Sequence, residues 1–253
     1  MELNEKRWDS SAIGYSALVQ KELESGLGKS WLQLIMRYIS EKKILKVLDV
    51  GTGPGFFLII FAKEGHEVTG IDCSSEMLSE AQHNLSIAGA SAQLRQVTGV
   101  ELPFENNTFD LVLSRNVTWT LFDPEKAFCE WNRVLKPGGT LCYADGNWNP
   151  EVWSDEVKKL EAQDRESYLK FYGKPENTYT GDQTTIQKFD AMARLYHEHR
   201  PQWDREHLAD FGFENIEIIE NINSSALTEP KQLLYRHTPM FLVSARKPCS
   251  VET

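Results

Sequence analysis

Lys46-Val47-Leu48-Asp49-Val50-Gly51-Thr52-Gly53-Pro54-Gly55-Phe56-Phe57-Leu58 is the stretch on which the fold turns. The apolar run Val47, Leu48, Val50 leads into three alternating glycines, and a second apolar run starts at Phe56. This is how a buried parallel strand hands over to a helix. Glycine takes positive φ without penalty and lets a bound molecule approach the backbone, while the helix start beyond it offers unpaired N–H groups. The same pattern also serves as a tight turn that holds nothing, so the residues further along must decide.

Outward from the turn the chain alternates strands and helices. A helix over 56–64 is ended by Gly65, and a strand over 67–71 is followed by Asp72. Ser74 or Ser75 caps a helix over 76–88, which Gly89 ends. Strands follow at 92–97 and 109–113, then a helix opened by Asp123-Pro124 and running to Leu135, then a strand at 140–144. Lys136-Pro137-Gly138-Gly139 reads as a turn serving backbone geometry. Two more strand signals, at 216–219 and 240–245, pair with each other at the sheet edge, antiparallel. The spacing predicts an α/β fold with a doubly wound, seven-stranded, mostly parallel sheet and a helical insertion after the fifth strand.

Four regions are expected. Residues 1–45 form a helical cap, with one or two short helices before 27 and another running from Ser30 to Glu41-Lys42-Lys43. Residues 46–145 form the ligand-binding core. Residues 146–207, rich in aromatics such as Trp148, Trp153, Phe171, Tyr179, Phe189 and Tyr196, form a helical insertion or lid over the sheet end. Residues 208–253 complete the sheet and finish in a frayed tail from 248.

The sequence has 253 residues, 27 of them basic and 37 acidic, for a formal charge of −10. That balance argues against nucleic acid or anionic lipid as a partner. The four cysteines, Cys73, Cys129, Cys142 and Cys249, are scattered without paired spacing, as expected of reduced thiols. The first residues lack the apolar segment of a secretory signal, and no run has bilayer length, so a cytoplasmic protein without a membrane partner is expected. His197-Glu198-His199 places two histidines on different helix faces, with no partner cluster and hence no metal site expected. Monomer and homodimer stay equally open.

Asp72 lies at the carboxyl end of the second strand, about twenty residues past the glycines, where an acid in a doubly wound fold accepts hydrogen bonds from ribose hydroxyls. A capping aspartate is the plain alternative, and the glycine turn tips the balance toward a nucleoside. The dinucleotide fingerprint needs G-x-G-x-x-G, but Phe56 stands at its last position. A dehydrogenase pair Tyr-x-x-x-Lys occurs only at Tyr38 and Lys42, ahead of the glycines.

At this point four segments, in order between Val47 and Leu141, resemble the class I S-adenosylmethionine-dependent methyltransferases, of the type 11 and 25 kind. They are the glycine stretch itself, Gly70-Ile71-Asp72-Cys73-Ser74-Ser75-Glu76-Met77-Leu78, Leu102-Pro103-Phe104-Glu105-Asn106-Asn107-Thr108-Phe109-Asp110-Leu111-Val112, and Arg133-Val134-Leu135-Lys136-Pro137-Gly138-Gly139-Thr140-Leu141. The resemblance implies S-adenosyl-L-methionine as cofactor, with S-adenosyl-L-homocysteine as product. It implies that Gly51, Thr52, Gly53 and Gly55 pass close to the methionine part, that Asp49 lies near the amino group, that Asp72 holds the ribose, and that Cys73 and Met77 flank the adenine. One departure stands out. Where such enzymes often carry Gly-Asp-Ala-Glu, this chain has Thr98-Gly99-Val100-Glu101, so the adenine amino group needs a backbone carbonyl or a neighbour such as Glu101.

The acceptor side is expected after the fourth and fifth strands. Arg115 pairs with a carboxylate, Asn116 bonds either ligand, and Trp119 either walls the site or fills the core. Asp145 takes the acceptor's proton or caps the next segment, and Trp148 lies beside it. Trp8 and Tyr15 are expected in a lid. Methyl transfer from a sulfonium is a direct displacement, so alignment and water exclusion matter more than a nucleophilic triad, and none is seen. The leading expectation is a methyltransferase for a small-molecule acceptor. The alternatives are an NAD(P)-dependent oxidoreductase, and a non-catalytic S-adenosylmethionine-binding module whose crevice Trp119 or Trp148 blocks.

Overall fold

The computed structural model describes residues 2–39, 44–174 and 183–249. Three helices lead in, α1 (Glu2–Asp9), α2 (Ala12–Glu24) and α3 (Leu27–Met36). The core then runs β1 (Lys46–Val50), α4 (Phe56–Lys63), β2 (Glu67–Asp72), α5 (Ser75–Ala88), β3 (Gln93–Gln96), β4 (Phe109–Arg115), α6 (Pro124–Val134) and β5 (Leu135–Asp145). After α7 (Asp155–Tyr172), α8 (Gln183–Met192) and α9 (Gln202–His207) come β6 (Glu214–Ile219), α10 (Asn223–Ala226), α11 (Glu229–Leu234) and β7 (Phe241–Arg246).

The seven strands form one sheet in the order β3-β2-β1-β4-β5-β7-β6. β1 pairs in parallel with both β2 and β4, while β7 is antiparallel to β5 and to β6. The order reverses beside β1, at the carboxyl ends of β1 and β4, which is where a doubly wound sheet opens its crevice.

Both faces of the sheet are covered, and strand alternation divides the core in two. Val47, Leu111, Leu113, Cys142 and Ala144 face α3, α4 and α5. Leu48, Val112, Leu141 and Tyr143 face α6 and the segment around Trp203 and Leu208. α4, Phe-Phe-Leu-Ile-Ile-Phe-Ala-Lys, has six consecutive buried apolar residues, which explains why its sequence shows no polar face.

Some boundaries differ from expectation. α3 begins at Leu27, three residues before Ser30, because Gly26 at φ +83° turns the chain directly into the helix. The expected closing residues Glu41-Lys42-Lys43 lie outside the described residues, as do Tyr179 and the tail from 250. The Lys-Pro-Gly-Gly turn sits within β5, where the register with β4 shifts between Phe109 and Leu111. Lys247 pins that turn. Its amide donates to the Gly139 carbonyl, and its ammonium donates to the carbonyls of Asn132 and Leu135, each at 2.8 Å, at the carboxyl end of α6. No described helix is long and apolar enough to cross a membrane.

Candidate active site

At the β1 turn the backbone takes φ +65° at Gly51 and +51° at Gly53. A Cβ on Gly51 would stand 2.4 Å from a methyl of Val117, so only glycine lets the loop after β4 close on this turn. Asp49, on β1, accepts from the Thr52 hydroxyl at 2.6 Å. Burial lifts its carboxyl to about 7, against the opposing pull of the Thr52 bond and the Arg115 charge.

Asp72 ends β2 and accepts from Gly53 N at 2.9 Å and Ser74 N at 3.0 Å, with the amide and thiol of Cys73 also donating to it. Burial raises the group above its ordinary value, against the pull of these donors. Ser74 caps α5 by accepting from Met77 N, and its own hydroxyl donates to Asp9 of α1 at 2.5 Å. Burial and the adjoining Asp72 push the Cys73 thiol up, so it stays protonated.

Arg115 closes β4. Its guanidinium lies 4.1 Å from the centre of the Phe56 ring and bonds Glu22 of α2 at 2.9 Å. Glu22 also accepts from Lys231 of α11 at 3.1 Å. Burial would raise Glu22, but the two cations outweigh it and hold the carboxyl below its ordinary value.

These residues surround one cavity of about 400 Å³, within the usual range for small-molecule sites. Asp49, Gly51, Thr52, Gly53 and Asp72 line its floor, and Cys73, Met77, Gly99 and Val100 line one end. Arg115 and Asn116 line the other, and Trp8 and Tyr15 reach it from α1 and α2.

Five expected site residues lie off the lining. Gly55 ends the turn and starts α4. Glu101 is exposed, which corrects its expected stand-in role at the adenine end; Asp123, the cap of α6, lines the cavity and was missed. Asp145 is 0% exposed. Its carboxylate accepts from Thr118 Oγ1 at 2.5 Å, Trp119 N and Gly146 N at 2.9 Å, and Trp148 Nε1 at 2.6 Å. With four donors and no face on the cavity, Asp145 anchors the loop after β4, and its expected part in proton removal is corrected accordingly. Trp148 is spent on that anchor and on packing against Tyr235, so its expected place beside a ligand is corrected too. Trp119 is buried behind the cavity wall, where its indole donates to the Asn116 carbonyl at 3.0 Å and its ring meets Trp8, Phe189 and Tyr196.

Neither tryptophan blocks the crevice. Nor does the insertion cover it: no described residue of 146–207 lines the cavity, whose cover comes from α1 and α2 instead. The insertion backs the site's wall: Phe189 packs against Trp8, Phe122 and Trp119, Tyr196 packs against Trp119, and Arg194 N donates to the Leu121 carbonyl at 3.2 Å. Glu22 was missed by sequence reading; an acid between Val19 and Leu23 on the inner face of α2 was the signal. His197 and His199 are exposed, and no group of three potential metal ligands occurs among the described residues.

The profile of a family described as "Methyltransferase domain" matches residues 48–143, the span from β1 to β5. The demethylmenaquinone methyltransferase of Listeria monocytogenes is 28% identical over 204 residues, 78% of this chain and 82% of that one. Residues 48–143 thus carry a methyltransferase domain, and the chain shares the fold of S-adenosylmethionine-dependent methyltransferases. An uncharacterized methyltransferase of Schizosaccharomyces pombe is 38% identical over 120 residues, 43% of this chain and only 41% of its own length. Among solved structures, phosphoethanolamine N-methyltransferase 2 of Haemonchus contortus, in complex with S-adenosyl-L-methionine, superposes with a TM-score of 0.59 at 21% identity, over 86% of this chain and 52% of that one. A methyltransferase domain of this kind takes its methyl group from S-adenosylmethionine, and the cavity fits it. It offers the Asp72 carboxylate at the end of β2, a glycine cradle at the β1 turn and the Arg115 guanidinium.

Proposed function

We propose that this methyltransferase passes the methyl group of S-adenosylmethionine to a small-molecule acceptor by direct displacement. The observation that carries the reading is the single cavity in which Asp72, the glycine turn and Arg115 lie together beneath Trp8 and Tyr15. Asp72 takes the ribose hydroxyls, Asp49 the amino group and Arg115 the carboxylate of the cofactor, while Asn116 and the two aromatic rings face the acceptor. A covered cavity of this size favours a small molecule over a macromolecule, and demethylmenaquinone and phosphoethanolamine methyltransferases, by name, act on small molecules. Calorimetric titration of the full chain with S-adenosylmethionine and S-adenosylhomocysteine is expected to show one site per chain. Absence of binding to both overturns the reading, and NAD in a parallel titration is expected to give no heat.

The state of Asp49 adds a pH signature. An ammonium group beside it favours the carboxylate, yet burial keeps that carboxyl half protonated near pH 7. Below about 7 the ligand must displace a proton, and above it none is displaced. Affinity for S-adenosylhomocysteine is therefore expected to rise from pH 5.5 to 7.5, with proton release on binding that fades toward the upper end. Titrations in buffers of different ionisation enthalpy measure this directly. Asp49→Asn is expected to bind more weakly and to lose the proton release; a flat profile in the wild type removes Asp49 from the amino group.

A further inference from the structure

We propose that Asp123, at the start of α6, selects the base of the cofactor: its carboxylate accepts a hydrogen bond from the exocyclic amine of adenine. This deepens the cofactor reading above and rests on it. Among the described residues three carboxylates line the cavity, Asp49, Asp72 and Asp123. In that reading the first two meet the amino group and the ribose hydroxyls, and the third has no counterpart in the methionine or the sugar. Adenine supplies one, because its amine is a donor that a buried base leaves unpaired only at a cost.

The fold sets Asp123 at the base end. Asp123, Ala127 and Trp131 recur at helical spacing and all three line the cavity, so one stripe of α6 forms part of its wall. The segment after β3 lines the cavity too, and it is bonded to α6: Leu102 N donates to Glu130 at 2.9 Å, and Arg133 donates to the Leu102 carbonyl at 3.0 Å. Ile71, Leu102, Ala127 and Trp131 share one apolar cluster, against which Val97 and Val100 pack. Ile71 directly precedes Asp72, so these apolar side chains adjoin the carboxylate that takes the ribose. They give a flat heterocycle an apolar surface, with Asp123 heading the stripe as its one acid.

The segment after β3 brings no acid of its own to this end. Gly99 has no side chain, the space where its Cβ would stand is open to 4 Å, and Glu101 lies off the lining. Asp123 has the capacity to serve instead. Its Oδ1 accepts from Lys126 N at 3.1 Å as the cap of α6, and its Oδ2 lies 3.5 Å from the Lys126 ammonium. That lysine side chain is 76% exposed, so the pair is loose and screened by water. A carboxylate oxygen has two acceptor positions, which leaves Oδ2 able to take the amine. The Asp123 side chain is itself 39% exposed, hence open to a ligand rather than sealed behind the wall.

The test titrates the full chain calorimetrically with S-adenosylhomocysteine and with its purine analogue, in which a hydrogen replaces the amine of the base. Wild type is expected to bind S-adenosylhomocysteine about 10-fold more tightly than the analogue, the low end for a charge-assisted bond at a half-exposed group. Asp123→Ser keeps a helix cap but removes the charge and shortens the reach. There the preference should fall to within about twofold, through lost affinity for S-adenosylhomocysteine while the analogue binds as before. Asp123→Asn keeps the cap and a neutral oxygen acceptor, and its preference should lie between the other two. Equal losses for both ligands in Asp123→Ser overturn the proposal, because the side chain then serves only the cap and the wall. So does a preference that is absent in the wild type or unchanged in Asp123→Ser. Failure of the wild type to bind S-adenosylhomocysteine at all overturns the cofactor reading and this assignment with it, so the two failures are distinguishable.

Discussion

Asp72→Ala is expected to weaken S-adenosylhomocysteine binding by about 100-fold, the sum of two charge-assisted hydrogen bonds to the ribose less what water restores. The substitution also leaves Gly53 N and Ser74 N without the oxygens that now accept from them. Part of the loss therefore arises in the turn rather than at the ligand. Asp72→Asn separates the two contributions. It keeps one acceptor and the volume but replaces the other oxygen with a donor facing a backbone N–H, and an intermediate loss of about 10-fold is expected. Calorimetry gives the affinities, and the melting temperatures of the free variants report the damage to the turn. Unchanged affinity in Asp72→Ala would return this residue to a purely structural role.

Asp204→Ala is expected to cost about 3–5 kcal/mol of folding stability, the range for breaking a buried ion pair from one side. Asp204 is 0% exposed and Arg200 4% exposed. The carboxylate accepts from two guanidinium nitrogens of Arg200 and from the Tyr143 hydroxyl. Removing it strands a cation, and Arg200 Nη1 already lacks a partner, so the guanidinium has little means of compensating. Arg200 also donates to Thr118 at 3.1 Å, and Thr118 donates to Asp145. The loop that presents Asn116 should therefore loosen as well. Urea denaturation followed by tryptophan fluorescence measures the first effect, since buried tryptophans such as Trp31, Trp131 and Trp203 report the loss of the core. A loss below about 1 kcal/mol would mean that Arg200 finds another anion or water, contrary to its burial.

What could be read from the chain alone was what nearest neighbours determine. Val47, Leu48 and the alternating glycines specify a strand and a turn within a dozen residues, and Asp72 follows from its place at a strand end. The mostly parallel sheet and its antiparallel edge follow from element order and length. Asp145 shows the limit. A carboxylate at a strand end looks the same in sequence whether it faces a ligand or four donors, and the donors here come from the Trp119 loop and from Trp148. Phe189 and Tyr196 misled in a related way: aromatic residues in an insertion suggest a pocket, but these two pack behind its wall, against Trp119 and, for Phe189, against Trp8 and Phe122. Glu22 and Arg115 lie 93 residues apart, and no local pattern announces their contact.

The strand order also bears on when the site comes into being. β7 lies between β5 and β6, although both precede it in the chain, and Phe241 of β7 is the register partner of Asp145. Until β7 is seated, β5 has a bare edge, and β6 has no partner strand. The anchor that fixes Trp119 and the Asn116 turn thus waits for the most distant strand in sequence. Contacts of such range are the slow ones to form. The floor at β1 and β2 draws on neighbouring elements, whereas the wall that carries Asn116 leans on the last strand, β7, through its pairing with β5.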